Sequence, residues 1–120
     1  MLRNYKNKLV VGIIGLGVGA FHLKNSLAYK NCKVKYICDI DQKKLLFYKK
    51  KFDIKNATIF FDDVVNDKEV NVVIIATNDK DHFYQVSKAL KNNKHVFIEK
   101  PMCLSINELE KIIKIKKTKP

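Results

Sequence analysis

All four glycines of this 120-residue chain fall between positions 12 and 19, and that clustering constrains the fold more than any other feature. Glycine is favoured where backbone turns tightly or is approached closely. Ahead of the cluster, residues 9–14 form an apolar, β-branched run of strand length. Behind it, Leu23 and Leu27 fit one stripe of a helix reaching about Lys30. The glycines therefore mark a strand-to-helix turn. The same alternation repeats downstream. Residues 34–38 read as a strand, and Asp41 can cap a helix with Leu45, Leu46, Tyr48 and Phe52 inward. A short strand is expected over 58–61, a brief helical turn from Asp62, and a continuous apolar strand over 72–76. A helix carrying Phe83, Val86, Ala89 and Leu90 follows, then a strand over 96–98. Ser105-Ile106-Asn107-Glu108 fits a capping box that opens a helix with Ile106, Leu109, Ile112 and Ile113 on one side. Apolar strand runs separated by helices predict a parallel sheet covered on both faces. The expected fold is α/β: a Rossmann-type doubly wound parallel sheet of about five strands, in one domain. The closing KIKKTKP reads as a solvated tail or the start of a further element.

At this length the chain is one domain at most, able to bury roughly two-thirds of its unfolded surface. Hydrophobic content of 47% and charged content of 30% belong to a globular chain rather than a disordered one. The net charge of +12 raises nucleic acid as a partner. Of the 24 basic side chains, however, only Arg3 is arginine, and the lysines are scattered. Phosphate and base recognition recruits arginine for its planar fork, so solvated lysine faces are the preferred explanation. Cys32, Cys38 and Cys103 are odd in number and lack metal-ligand spacing, which fits a reducing, cytoplasmic setting. MLRNYKNK followed by LVVGIIGLGVGAF also has the outline of a secretory signal, with Val18-Gly19-Ala20 as a cleavage site. It is too short to span a bilayer, and the strand–turn–helix reading accounts for the same residues.

Within that turn, Gly15-Leu16-Gly17-Val18-Gly19-Ala20 matches a dinucleotide fingerprint. Gly15 permits the tight turn, and Gly17 lets backbone approach a pyrophosphate held at the helix N-terminus. Ala20 occupies the third position, where a small residue lets helix pack on strand. Gly15, Gly17, Val18 and Gly19 are thus candidate cofactor contacts. Asp39 ends the second strand, 24 positions after Gly15, where a carboxylate can accept both hydroxyls of an adenosine ribose. It would repel a 2′-phosphate, which favours NAD over NADP; capping the next helix is its alternative use. Ala76 ends the fourth strand and Thr77 and Asn78 follow it, at the sheet edge where open α/β sheets bind ligands. Contact with the nicotinamide half and capping of the following helix both fit Thr77 and Asn78.

The stretch KHVFIEKP places Glu99 and Lys100 at the tip of the fifth strand, on that same edge. Pro101 biases Lys100 toward extended backbone and away from the next helix. A lysine held there is placed to hydrogen-bond a substrate hydroxyl and assist removal of its proton, with Glu99 placed to orient it; Glu99 and Lys100 are candidate cofactor contacts as well. A solvent-facing loop lysine is the plain alternative.

GLGVGAFH, CDID, ATNDKDH and KHVFIEKP together resemble the nucleotide-binding half of the glucose–fructose oxidoreductase / inositol dehydrogenase (Gfo/Idh/MocA) family, over about residues 9–113. The resemblance implies oxidation of a hydroxyl on a sugar, cyclitol or sugar-nucleotide with NAD(P), or the reverse. It carries a catalytic role to Lys100, cofactor binding to Gly15 and Gly17, and ribose binding to Asp39. Three departures stand out. The family's Thr-Pro-Asn is here Thr77-Asn78-Asp79; the glycine turn is one residue short before its histidine, which makes His22 a packing or helix-face residue; and Asn93 stands where glycine is usual. The family also continues into a sixth strand and a substrate domain, which supplies an acid–histidine pair and the oligomer surface. On that comparison residues 1–120 are the nucleotide domain, truncated before the sixth strand. The chain would then need a second domain, or a partner chain, to act on a sugar-like substrate. A homo-oligomer is a further option, nucleic-acid and membrane partners are not expected, and a non-catalytic NAD-binding module is the second reading.

Overall fold

The structure is a computed structural model in which residues 9–118 are described. Ten elements alternate along the described residues. β1 (Leu9–Ile14), α1 (Gly19–Ala28), β2 (Cys32–Cys38), α2 (Gln42–Phe52) and β3 (Asn56–Thr58) form one half. α3 (Phe61–Val65), β4 (Val72–Ile75), α4 (Asp79–Lys91), β5 (His95–Ile98) and α5 (Ile106–Thr118) complete it. The five strands are parallel in the order β3-β2-β1-β4-β5. The apolar runs are continuous because both faces of the sheet are covered. Val11 and Ile13 point into the core shared with Leu23 and Leu45, whereas Ile14, Val73 and Ile75 face Val86 and Ala89.

Register aligns the strand ends. Ile14 stands opposite Cys38 on one side and Ile75 on the other, Cys38 opposite Thr58, and Ile75 opposite Ile98. The residues that follow these ends (Gly15, Asp39, Ala76 and Glu99) therefore leave the sheet along one edge. β1 is flanked by β2 and β4, so the order reverses beside it. A crevice at such a reversal is where open α/β sheets take ligands.

β3 pairs over Asn56–Thr58 rather than over 58–61, and Asn56 Nδ2 donates to the Lys35 carbonyl at 3.3 Å. Leu27, Leu46, Ile106 and Ile113, expected inward, are exposed, whereas Leu23, Leu45 and Ile112 are buried. Residues 114–118 of the expected tail continue α5. Residues 1–8, the basic part of the signal-like stretch, lie outside the described residues; the remainder is β1, the turn and the start of α1. Among the described residues, no helix is long and apolar enough to cross a membrane.

Gly12 serves packing rather than the turn. A Cβ there would meet Val64 Cγ1 at 2.4 Å, and Val64 is fully buried. Gly12→Ala is therefore expected to destabilise the domain by about 1–3 kcal/mol through overpacking. Denaturant unfolding checks this; an unchanged midpoint would mean that α3 yields freely. Lys94 also departs from the solvated-lysine pattern. Its Nζ donates to the Asp67 and Val70 carbonyls, both at 2.7 Å, and burial lowers its pKa.

Candidate functional site

The glycine turn is built for close approach. Gly15 has φ +89°, and its N–H donates to the Cys38 carbonyl at 2.8 Å. A side chain there would meet Ala76 O at 2.6 Å. Gly17 is the opposite case: it is exposed, and a Cβ would find nothing within 4 Å. Among the described residues, no contact calls for its lack of a side chain. The tight helix–strand packing falls at Gly19, where an added Cβ would lie 3.3 Å from Ile13 Cγ2, one residue before Ala20, which is itself buried.

α1 opens without a side-chain cap at Val18 and without an acidic residue in its first turn. Val18 offers its leading N–H groups no side-chain acceptor; Ala20 N and Phe21 N turn back to the Gly17 and Val18 carbonyls at 3.1 and 3.0 Å, and a helix N-terminus favours an anion. α2, by contrast, is capped by Asp41, which accepts from Lys43 N and Lys44 N at 3.0 and 3.2 Å. α5 has Ser105 accepting from Glu108 N at 3.1 Å, while Glu108 reaches back to Leu104 N at 2.8 Å, one residue earlier than a capping box requires.

Asp39 does not cap α2. Its Oδ2 accepts from Leu16 N and its Oδ1 from Asp41 N, both at 2.8 Å. The carboxylate is thereby fixed beside the glycine turn, with lone pairs remaining on both oxygens. Capping of α2 thus falls to Asp41 alone. A cavity of about 420 Å³ joins Gly15, Gly17, Asp39, Ala76, Thr77 and Asn78. Gln85 lines it too, a residue that sequence reasoning passed over. Cys38 also borders it, but burial, aided by the charges of Asp39 and Asp63, pushes its thiol up to about 12, so it remains a protonated, unreactive wall.

At the β4 end, Thr77 Oγ1 donates to Gln85 Oε1 at 2.5 Å, and Asn78 occupies the N-cap position of α4 without a side-chain cap bond. Neither side chain is used as a helix cap, so both remain cavity groups. Val18, Gly19, Glu99 and Lys100 do not line the cavity. Lys100 is exposed at the tip of β5, and its bond to Pro101 is cis. Glu99 takes a partner other than the expected one: its Oε2 lies 2.6 Å from His22 Nε2. His22 is half-buried on α1, its ring edge-on to Phe97 at 5.0 Å. Its place on the helix is as expected, but its pairing across 77 residues has no local signal in the sequence.

A glycine turn leading to an uncapped helix N-terminus, with a carboxylate at the end of the adjacent strand, defines a dinucleotide-binding α/β domain. The space over Gly17 and the N-terminus of α1 fit a pyrophosphate, and Asp39 fits a ribose diol. The sequence pattern of the Gfo/Idh/MocA family, described as an oxidoreductase family with an NAD-binding Rossmann fold, matches residues 9–120. The chain belongs to this family. It is 37% identical over 109 residues to an inositol 2-dehydrogenase/D-chiro-inositol 3-dehydrogenase of Lactiplantibacillus plantarum, covering 86% of this chain and 30% of that protein. It is 32% identical over 108 residues to an inositol 2-dehydrogenase of Salmonella typhimurium, covering 88% of this chain and 32% of that protein. Among solved structures, scyllo-inositol dehydrogenase from Lactobacillus casei with bound NAD(H) and scyllo-inositol superposes with a TM-score of 0.88 at 28% identity. That match covers 93% of this chain and 34% of the other. The chain thus spans about a third of the length of the proteins it matches.

Proposed function

We propose that this chain binds NAD(H) across the β1–β4 edge and forms the nucleotide-binding part of an oxidoreductase acting on a sugar- or cyclitol-like carbinol. The observation that carries the proposal is the shared cavity of the Gly15–Gly17 turn and Asp39, beside an α1 N-terminus that lacks its own cap. Gly17 and the first amides of α1 hold the pyrophosphate, and Asp39 holds the adenosine ribose. Thr77 and Asn78 stand on the nicotinamide side. When bound, NAD supplies the hydride acceptor. Lys100, exposed at the neighbouring strand tip, hydrogen-bonds the substrate hydroxyl and, as the neutral amine, accepts its proton to become the ammonium as the carbonyl forms. Inositols, named in the relatives, are the substrate class to try first.

NADH titrated into the chain by calorimetry is expected to saturate below about 1 mM. Lys100→Ala lies outside the cavity and should change that affinity by less than about threefold. A folded chain that gives no binding heat at millimolar NADH would remove the proposal. Because the matched relatives are some three times longer, these 120 residues alone are expected to oxidise inositols negligibly. Brisk turnover by the isolated chain would show that residues 1–120 already contain the substrate site.

A further inference from the structure

We propose that His82 is a positioning residue that ties the loop after β4 to the turn after Lys100, and so sets the nicotinamide end of the site. This rests on the nucleotide-binding function proposed above. His82 lies in the first turn of α4 and is 1% exposed. Its Nδ1 is 2.6 Å from the Pro101 carbonyl oxygen, and its Nε2 is 3.0 Å from the Thr77 carbonyl oxygen. Carbonyl oxygens only accept, so a neutral ring, with one N–H, donates to one of the two carbonyls and only packs against the other, whereas the imidazolium donates to both. A buried polar ring is costly unless it is hydrogen-bonded. An apolar side chain would fill the same space without reaching either backbone.

Both partners belong to segments that leave the same sheet edge. Thr77 lines the cofactor cavity, and its hydroxyl is already held by Gln85. Pro101 follows Lys100 directly. A single imidazole thus spans the two segments between which a nicotinamide and a reacting carbinol would meet. The adenosine and pyrophosphate contacts, at Asp39 and Gly17, lie on other elements. His82 is therefore expected to act on one half of the dinucleotide only.

His82→Leu keeps an apolar side chain in the buried space and removes both contacts. NADH and ADP-ribose, which lacks the nicotinamide, are titrated into each protein. The variant is expected to bind NADH about tenfold more weakly, with ADP-ribose affinity changed less than about twofold. Equal loss for both ligands would mean a general structural role, and no loss for either would mean no role; each overturns the inference. A wild-type chain that is folded yet fails to bind ADP-ribose overturns the nucleotide function itself, and the inference with it. Nitrogen-15 histidine spectra of the unaltered chain provide a measurement independent of whether the variant folds. They should show a His82 ring hydrogen protected from exchange, with a through-bond coupling to the Pro101 carbonyl carbon. A ring hydrogen exchanging freely with water contradicts the tie.

Discussion

Gly15→Ala is expected to abolish detectable NADH binding and to destabilise the domain by about 3 kcal/mol or more, whereas Gly17→Ala should weaken binding with little loss of stability. The difference comes from what each added methyl meets. At Gly15 the backbone is left-handed, with φ +89°, a conformation that costs an alanine roughly 1–2 kcal/mol. The methyl would also lie 2.6 Å from Ala76 O and 2.8 Å from Ala76 C, both backbone atoms on the adjacent strand end. Relief requires moving the Ala76–Thr77 segment, which is itself part of the cavity. At Gly17 a methyl meets no protein atom within 4 Å. Only a ligand approaching the N-terminus of α1 would feel it. Denaturation midpoints and NADH calorimetry on the two variants separate these effects. Equal affinities for Gly17→Ala and wild type would show that nothing approaches the turn from that side.

Asp39→Ala should weaken NADH binding by about a hundredfold, the equivalent of about 2.7 kcal/mol, since hydrogen bonds to a charged acceptor each contribute roughly 1.5–3 kcal/mol. The loss has two sources. The ribose hydroxyls lose their acceptor, and Leu16 N and Asp41 N lose the oxygens that hold the turn in shape at 2.8 Å each. With the ribose held as proposed, the carboxylate would repel a 2′-phosphate, so wild type should prefer NADH to NADPH and the variant should narrow that preference. NADPH bound as tightly as NADH by wild type would contradict this role. So would an equal effect of Asp39→Ala and Lys100→Ala, because Lys100 lies outside the cavity.

Much of the sheet is legible in the sequence because parallel strands buried on both faces carry unbroken apolar runs. β1 and β4 stand out for that reason, and the glycines between β1 and α1 locate the turn. β3 is harder to place. It sits at the sheet edge, pairs through Asn56, Ala57 and Thr58, and is followed by the more hydrophobic Ile59, Phe60 and Phe61, which draw the apparent strand downstream. Helix spacing predicts an apolar stripe but not what it faces. That is why Ile106 and Ile113 share the spacing of Ile112 and yet remain exposed.

The candidate site divides in the same way. Its local parts, Gly15, Gly17 and Asp39, have a motif and a spacing. The contacts of His22 with Glu99 and of His82 with Pro101 cross 77 and 19 residues, and only the assembled sheet brings them together. Gln85 has no motif of its own, and its role is visible only through the Thr77 hydroxyl that it accepts from.

The most direct test is a crystal structure of the chain grown with NAD. The coenzyme pyrophosphate is expected within hydrogen-bond distance of the first amides of α1, over Gly17, with the adenosine ribose hydroxyls on the Asp39 carboxylate. A coenzyme bound at any other surface, leaving Gly17 and Asp39 untouched, would contradict the account.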